Sequence, residues 1–531
     1  MGSAIVPDAL ATAEFACLAL AAASALHLAL KRPLRQDALA HPGLALVLAL
    51  AAAAAAIAAV GAAIVSPLAR HLLTASALAV MAALWLRARP GYGAGRRWPP
   101  GSMGLARSLD AIGDRRFYRD GFVRHGPVFK MTQFGRPAAC VLGHDRARRL
   151  LTDHAGALAP AALPYNRLLA RGQLRYMAAE THRQEAPLFR TAFAQMDLEG
   201  AEGAIRASLR RELADLSRRS RAVPGGVNAR SAFERWIVAA HARVFFGLAP
   251  DDPRVERLAS LVPLIRTTRA GGPIWRRRLR RGVDGMATIV REAASDLARD
   301  PQGVARGSAL DHLLAARPAS LDEPARAENL VLIYRLTIGD MTGLLDWIFA
   351  FAGEAPAWRD EVRAHGRTSG VVGLATPVDP ATVAVQETLR MEQSEFLYRR
   401  TIAPIELDGR VVPAGWILRM CVNESHRDAA VFADPDRWDP SRFRDRRYSR
   451  AEYSPFGGHT HGCMGAHLVH FLGRLFVEEL VLGYDWTVTR AGPPERGSRH
   501  RDHWRPNRDR RAVLVPRAPE VDRATAATAS V

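Results

Sequence analysis

Residues 456–465 read Phe456-Gly-Gly-His-Thr-His-Gly-Cys463-Met-Gly465 and run straight into AHLVHFLGRLFVEELVLG. A small-residue loop with one cysteine therefore opens onto a stretch whose apolar residues recur every three or four positions, predicting a helix over 463–482. Glycines let a backbone come close to a flat partner. A cysteine at a helix start meets the positive end of the dipole and N–H groups lacking an intrahelical acceptor, and both favour a thiolate. Three readings fit these residues. A lone thiol is most often a buried structural cysteine. His459, His461 and Cys463 are three zinc-ligand types, without a second group at finger spacing. The third reading is a thiolate ligand to the iron of a flat macrocycle.

Three other segments bear on the choice. Glu387-Thr-Leu-Arg390 lies in the helical run ATVAVQETLRM, where residues three apart share a face and can pair. Phe432-Ala-Asp-Pro-Asp-Arg-Trp-Asp-Pro-Ser-Arg442-Phe443 follows it, rich in aromatic residues and arginine. The long helical run 327–353 contains Ile338-Gly339-Asp340-Met341-Thr342-Gly343. A threonine there can also return its hydroxyl to its own helix, the bland alternative to a functional role.

Together these segments resemble the cytochrome P-450 family. In its cysteine loop Phe456, Gly457, His461, Cys463, Met464 and Gly465 match, while His459 stands where that family has Gly or Asp. The resemblance implies a mainly α fold, a haem domain with small β-sheets, holding haem b with Cys463 as the axial ligand to iron. It implies a buried charge network of Glu387, Arg390 and Arg442, in which one carboxylate accepts from two planar guanidinium forks. It places Gly339 and Thr342 at an oxygen-binding groove. The family's acid position is Met341 here, and Asp340, one residue early, is rotated by ~100° on the helix. For the haem propionates it points to His182, Arg399 and His461. The usual arginine four residues after His182 is Ala186, leaving Arg183 or Arg190 as substitutes. The resemblance covers roughly residues 97–520, including Val128-Phe-Lys and Phe245-Phe-Gly-Leu248.

Composition narrows the partners. The chain has 531 residues, 48% of them hydrophobic, and a formal net charge of +20 at pH 7. Lys31 and Lys130 are its only lysines, so the charge is arginine spread along the whole chain. With no basic stripe or recognition motif, nucleic acid is not an expected partner. Four cysteines without a CxxC pair form no disulfide framework.

The first 90 residues differ from the rest. Residues 43–65 carry no charge, and at ~1.5 Å per residue they reach ~35 Å, enough to cross a ~30 Å hydrocarbon core. Residues 9–30 and 71–87 are two further candidate transmembrane helices. Lys31, Arg32 and Arg35 follow the first candidate, and Arg87, Arg89, Arg96 and Arg97 follow the third. The positive-inside rule then puts the N-terminus outside and the haem domain on the cytoplasmic side of a multi-pass membrane protein. Residues 91–104 have the Gly, Pro and Arg chemistry of a linker, 105–520 read as one haem domain, and 521–531 as a flexible tail. Short strands are expected at 138–143, 405–412 and 512–518, with a tight turn at Asp408-Gly-Arg410.

By resemblance the activity is insertion of one oxygen atom from O2 into an apolar organic substrate. Electrons would come from a separate ferredoxin or flavoprotein reductase, since no flavin or nicotinamide segment is visible. Two alternatives stand beside it: a haem-thiolate enzyme that uses peroxide or isomerises its substrate, and a non-catalytic haem-binding membrane protein.

Overall fold

The structure is a computed structural model. It describes residues 91–104, 110–111, 114–133, 136–161, 172–265, 273–300, 306–316, 323–368, 379–392, 397–457, 462–498 and 501–517, with scattered positions between 75 and 89. The expected spans 9–30 and 43–65, and most of 71–87, lie outside the described residues. Among the described residues no helix is long and apolar enough to cross a membrane.

The chain divides into two compact units. The smaller comprises the residues up to Ala159 together with Tyr398–Cys421. It holds α1 (Phe117–His125) and α2 (His144–Asp153), and a sheet of order β1-β2-β7-β4-β3. Its strands are β1 (Val128–Gln133), β2 (Arg136–Val141), β3 (Leu158–Pro160), β4 (Leu397–Thr401) and β7 (Ile417–Met420). Strands β5 (Ile405–Leu407) and β6 (Arg410–Val412) form a separate hairpin. Asp408 and Gly409 both have positive φ, 48° and 70°, the two-residue turn whose twist suits paired strands.

The stretch 91–104, linker-like in composition, is anchored within this unit. The Trp98 ring packs edge-on to Trp416 at 5.2 Å, and the Lys130 ammonium donates to the Pro99 carbonyl at 2.7 Å. Arg97 pairs with Glu406, and its carbonyl accepts from Val411 N–H. One tryptophan and two prolines among the glycines supply the packing surface that the Gly and Arg count conceals.

The larger unit is almost wholly helical. In chain order it contains α3 (Ala179–Ala194), α4 (Leu198–Ala222), α5 (Arg230–Phe246), α6 (Pro253–Ile265), α7 (Pro273–Arg299), α8 (Ala309–Ala315), α9 (Glu323–Gly353), α10 (Pro356–His365), α11 (Pro380–Met391) and α12 (Ala466–Gly483). Strands β8 (Tyr484–Arg490) and β11 (Arg511–Pro516) pair antiparallel, as do β9 (Glu495–Ser498) and β10 (Arg501–Arg505). A single apolar core joins these helices, with Trp236, Ile237, Leu330, Leu345, Leu472 and Phe476 fully or almost fully buried. Burying each such side chain contributes ~1.5–3 kcal/mol. Helix α12 lies against α11 because Gly473 has no side chain: a Cβ there would sit 2.7 Å from a Val385 methyl.

Helix α12 is also held by charge. Glu479 accepts from Arg206, Arg210 and Arg367, and Glu478 accepts from Arg206 and Arg474. Burial alone would raise the Glu479 carboxyl, but Arg210 and Arg367 hold its pKa down at about 2. A carboxylate depressed in the folded state stabilises above its unfolded pKa of ~4.3, and that contribution fades as pH falls toward ~2. Glu479→Gln is therefore expected to flatten the loss of thermal stability between about pH 5 and pH 2, by ~2 kcal/mol. Melting curves for the two proteins that run parallel across this range would refute the assignment.

Candidate functional site

Glu387 and Arg390 are completely buried on α11. Arg390 Nε donates to Glu387 Oε2 at 2.7 Å, and its Nη2 to Oε1 at 2.9 Å. Arg442, in the helical turn Ser441–Asp445, donates from Nε to the same Oε1 at 3.1 Å. The Asp439 N–H adds a fourth bond at 2.9 Å. The structure thus brings together Glu387 and Arg390, which the helix spacing pairs, and Arg442, which the resemblance adds to them. The rest of the Arg390 fork is used as well, reaching the carbonyls of His426, Pro435 and Arg437. A guanidinium face also lies over the Phe432 ring at 5.1 Å.

This buried cluster is wired to the cysteine turn through residues that the sequence reading missed. His426, whose carbonyl accepts from Arg390, takes the Ser454 N–H on its ring Nε2 at 2.9 Å. Ser454 then closes the next turn in both directions: its hydroxyl donates to the Gly457 carbonyl, and its carbonyl accepts from Gly457 N–H. Gly457 has φ +66°, the left-handed region that glycine enters without a Cβ penalty. Phe456 in turn accepts from Cys463 N–H at 3.0 Å, which fixes where the cysteine emerges. No local pattern marks His426 or Ser454, since each acts through a contact distant in sequence.

Cys463 itself is exposed, two residues before Gly465 caps α12. Phe456 stands edge-on to the buried His470 of α12, with ring centres 5.5 Å apart. Around the Cβ position of Gly465 there is nothing within 4 Å. The loop therefore presents an accessible thiol at a helix N-terminus, beside a glycine whose size protein packing does not require. These are the features a thiolate ligand beneath a flat macrocycle needs, and the residues fit haem. His461 lies outside the described residues, as does His459.

The remaining sequence-derived positions are spread out. His182 is buried on α3, on one face with Glu185 and Ala186. Arg183 is exposed and pairs with Glu180, and Arg190 is also exposed. Arg399 is half-buried on β4, in the smaller unit. On α9, Gly339 is buried, Asp340 half-buried and Thr342 fully buried. The Thr342 hydroxyl donates to the Ile338 carbonyl at 2.7 Å, so it is returned to its own helix.

A mainly helical fold with small sheets, a buried Glu–Arg–Arg cluster and an exposed cysteine at a helix start are the features in which the chain resembles haem-thiolate proteins. The sequence model of the cytochrome P450 family matches residues 381–502, the segment from α11 through the cysteine turn and α12. Cytochrome P450 26C1 of Mus musculus is 26% identical over 446 residues, covering 75% of this chain and 84% of that protein. Abscisic acid 8'-hydroxylase 2 of Oryza sativa subsp. indica is 24% identical over 446 residues, covering 76% of this chain and 85% of the relative. Among solved structures, retinoic acid bound cyanobacterial CYP120A1 shares the fold with a TM-score of 0.65 and 21% identity, covering 79% of this chain and 99% of that one. The chain is thus similar to cytochrome P450 hydroxylases over about three quarters of its length, and its segment 381–502 matches that family's model.

Proposed function

We propose that the protein inserts one oxygen atom from O2 into an apolar organic substrate, with haem b held by Cys463 and electrons delivered by a separate ferredoxin or flavoprotein reductase. The observation that carries this reading is the exposed Cys463 at the start of α12, on a turn tied back to the buried Glu387–Arg390–Arg442 cluster. When bound, the haem supplies O2 activation, and a thiolate ligand favours cleavage of the O–O bond. The chain supplies the rest. Arg390 and His426 hold the turn, Gly457 gives its bend, and Phe456 with His470 walls one side of it. His182, Arg399 and His461 are the candidate donors to the propionates. Two similar proteins carry retinoic acid or abscisic acid in their names, which makes apolar carboxylic acids the first substrates to try.

The test is the absorption spectrum of the purified, reduced protein under carbon monoxide, followed by turnover of retinoic acid with an added ferredoxin and its reductase. A strongly red-shifted Soret band and donor-dependent oxygenated product are expected. A spectrum typical of histidine ligation, or none, would sink the reading.

We also propose that residues 1–90 tether the protein to a membrane, with the haem domain cytoplasmic. The support is the uncharged run 43–65 and the alternation of basic loops. A reporter fused at the N-terminus should be found outside, and a cytoplasmic reporter would count against it.

A further inference from the structure

Helix α8 has three leucines on one face, and one of them is left uncovered. Leu310, Leu313 and Leu314 stand at i, i+3 and i+4, the spacing of an apolar stripe. The first two are buried, at 5% and 2% exposure, while Leu314 keeps 41% of its surface. It borders a narrow cleft lined by α7, α8 and α9, in which Val290 of α7 and Leu330 of α9 are almost wholly buried and make the floor. The cavity there is about 20 Å³, room for one water-sized or methyl-sized group.

Two guanidinium groups edge this apolar cleft, Arg291 of α7 and Arg326 of α9. Neither has a carboxylate partner among the described residues, because the acids of the surrounding helices are committed to other arginines. Asp284 pairs with Arg280, Glu292 with Arg257, Asp296 with Arg254 and Arg299, and Asp311 with Arg306. Glu328 also pairs with Arg280. Arg291 donates one N–H to the Thr288 hydroxyl at 3.0 Å. Arg326 donates one to the Leu313 carbonyl at 3.1 Å, while its Nε is buried with no hydrogen-bond partner. A buried donor left without an acceptor is costly, and guanidinium forks match a carboxylate with paired N–H groups. An apolar floor one methyl wide and two cations without an acid describe the two ends of one ligand.

We propose that this cleft binds an unbranched aliphatic carboxylate, with its chain end on the floor, its methylenes over Leu314 and its carboxylate held by Arg291 and Arg326. The size of the floor selects the shape of the ligand: a terminal methyl enters it, and a ring does not. The rim selects the headgroup. An alcohol of the same length keeps the apolar contact but gives the two guanidiniums no anion. The bound chain covers Leu314 and joins α8 to α7 and α9, so the seven-residue α8 is the element whose local opening the ligand suppresses. None of these residues belongs to the cysteine turn or to the Glu387–Arg390–Arg442 cluster, so the proposal does not rest on the haem-thiolate reading.

The test is amide hydrogen exchange of the full-length protein with decanoate, below its micellar concentration. At about ten times its Kd, a ligand that binds only the closed form slows local opening about tenfold, and peptides covering α8 should show this. Decanol should protect α8 far less, and cyclohexanecarboxylate should not protect it. The Arg291→Gln/Arg326→Gln double variant should bind decanoate about tenfold more weakly or worse. Arg291→Gln alone changes only an exposed side chain and should weaken binding several-fold, which keeps the test open if loss of the Arg326 bond to Leu313 impairs folding. No slowing of exchange at α8 by decanoate overturns the site. Equal protection by decanol, or full protection retained in the arginine variants, overturns the carboxylate assignment, and equal protection by cyclohexanecarboxylate overturns the unbranched chain. Loss of the carbon monoxide band with α8 protection intact faults only the haem-thiolate reading.

Discussion

Cys463→Ala is expected to abolish the red-shifted carbon monoxide band and donor-driven turnover while leaving the fold intact. The size and selectivity of this effect follow from where the thiol sits. Cys463 is exposed, so truncating its side chain removes little packing, and surface substitutions of this kind change stability by ~0.5 kcal/mol or less. Its structural contribution comes from the backbone, through the N–H donated to Phe456, and alanine keeps that bond. Chemistry and folding are thus separable at this position. Circular dichroism and the melting temperature should match those of the unmodified protein, and the spectrum should not. Cys463→Ser sharpens the test, since a hydroxyl fills the same place but is far harder to ionise than a thiol. A Cys463→Ala protein that kept the thiolate spectrum would assign the ligand elsewhere. Among the described cysteines, Cys140 and Cys421 are the alternatives, and both are buried in the smaller unit.

What could be read from the sequence depended on how local the determining contact is. Glu387 and Arg390 are legible because three residues of helix put their side chains on one face. The hairpin at 408–410 is legible because an Asp-Gly pair accepts the positive φ a two-residue turn demands. The orientation of α9 was not. Ile333 and Leu336 keep accessible surface while Tyr334, Ile338 and Leu345 are buried, so apolar residues occur on both sides of the helix and residue type does not mark its open side. The link from Arg390 through His426 and Ser454 to Gly457 was hidden for another reason. Each bond in it spans a turn or a long loop, and all four use at least one backbone group, which every residue has. The anchoring of 91–104 was masked by composition, because glycine and arginine outnumber the Trp98 and Pro99 that make the contacts.

Arg390→Leu should be the most destabilising single change at the site. The substitution would strip two of the four hydrogen bonds from Glu387, leaving a wholly buried carboxylate with Arg442 and the Asp439 N–H. Removing one partner of a buried ion pair costs ~3–5 kcal/mol, because the remaining charge stays out of water. Against a total stability of ~5–15 kcal/mol for a typical domain, that loss is enough to deplete the folded protein. The carbonyls of His426 and Pro435 would also lose this donor, that of Arg437 would keep only Arg442, and the turn that carries Cys463 hangs from the first of them. Arg390→Lys separates charge from geometry. It keeps the cation but not the planar fork that reaches one carboxylate and three carbonyls at once. It should therefore fold better than Arg390→Leu and still bind haem weakly. Arg442→Ala should cost less than either, since Arg442 lies nearer the surface and supplies a single bond to Glu387. The observables are soluble yield, melting temperature and the fraction of protein giving the carbon monoxide band, measured for all three variants. If Arg390→Lys matched the unmodified protein in every one, the fork geometry would be dispensable and the cluster would act through charge alone. If Arg442→Ala proved the worst, the pivot of the network would be the turn at Ser441–Asp445 instead of α11.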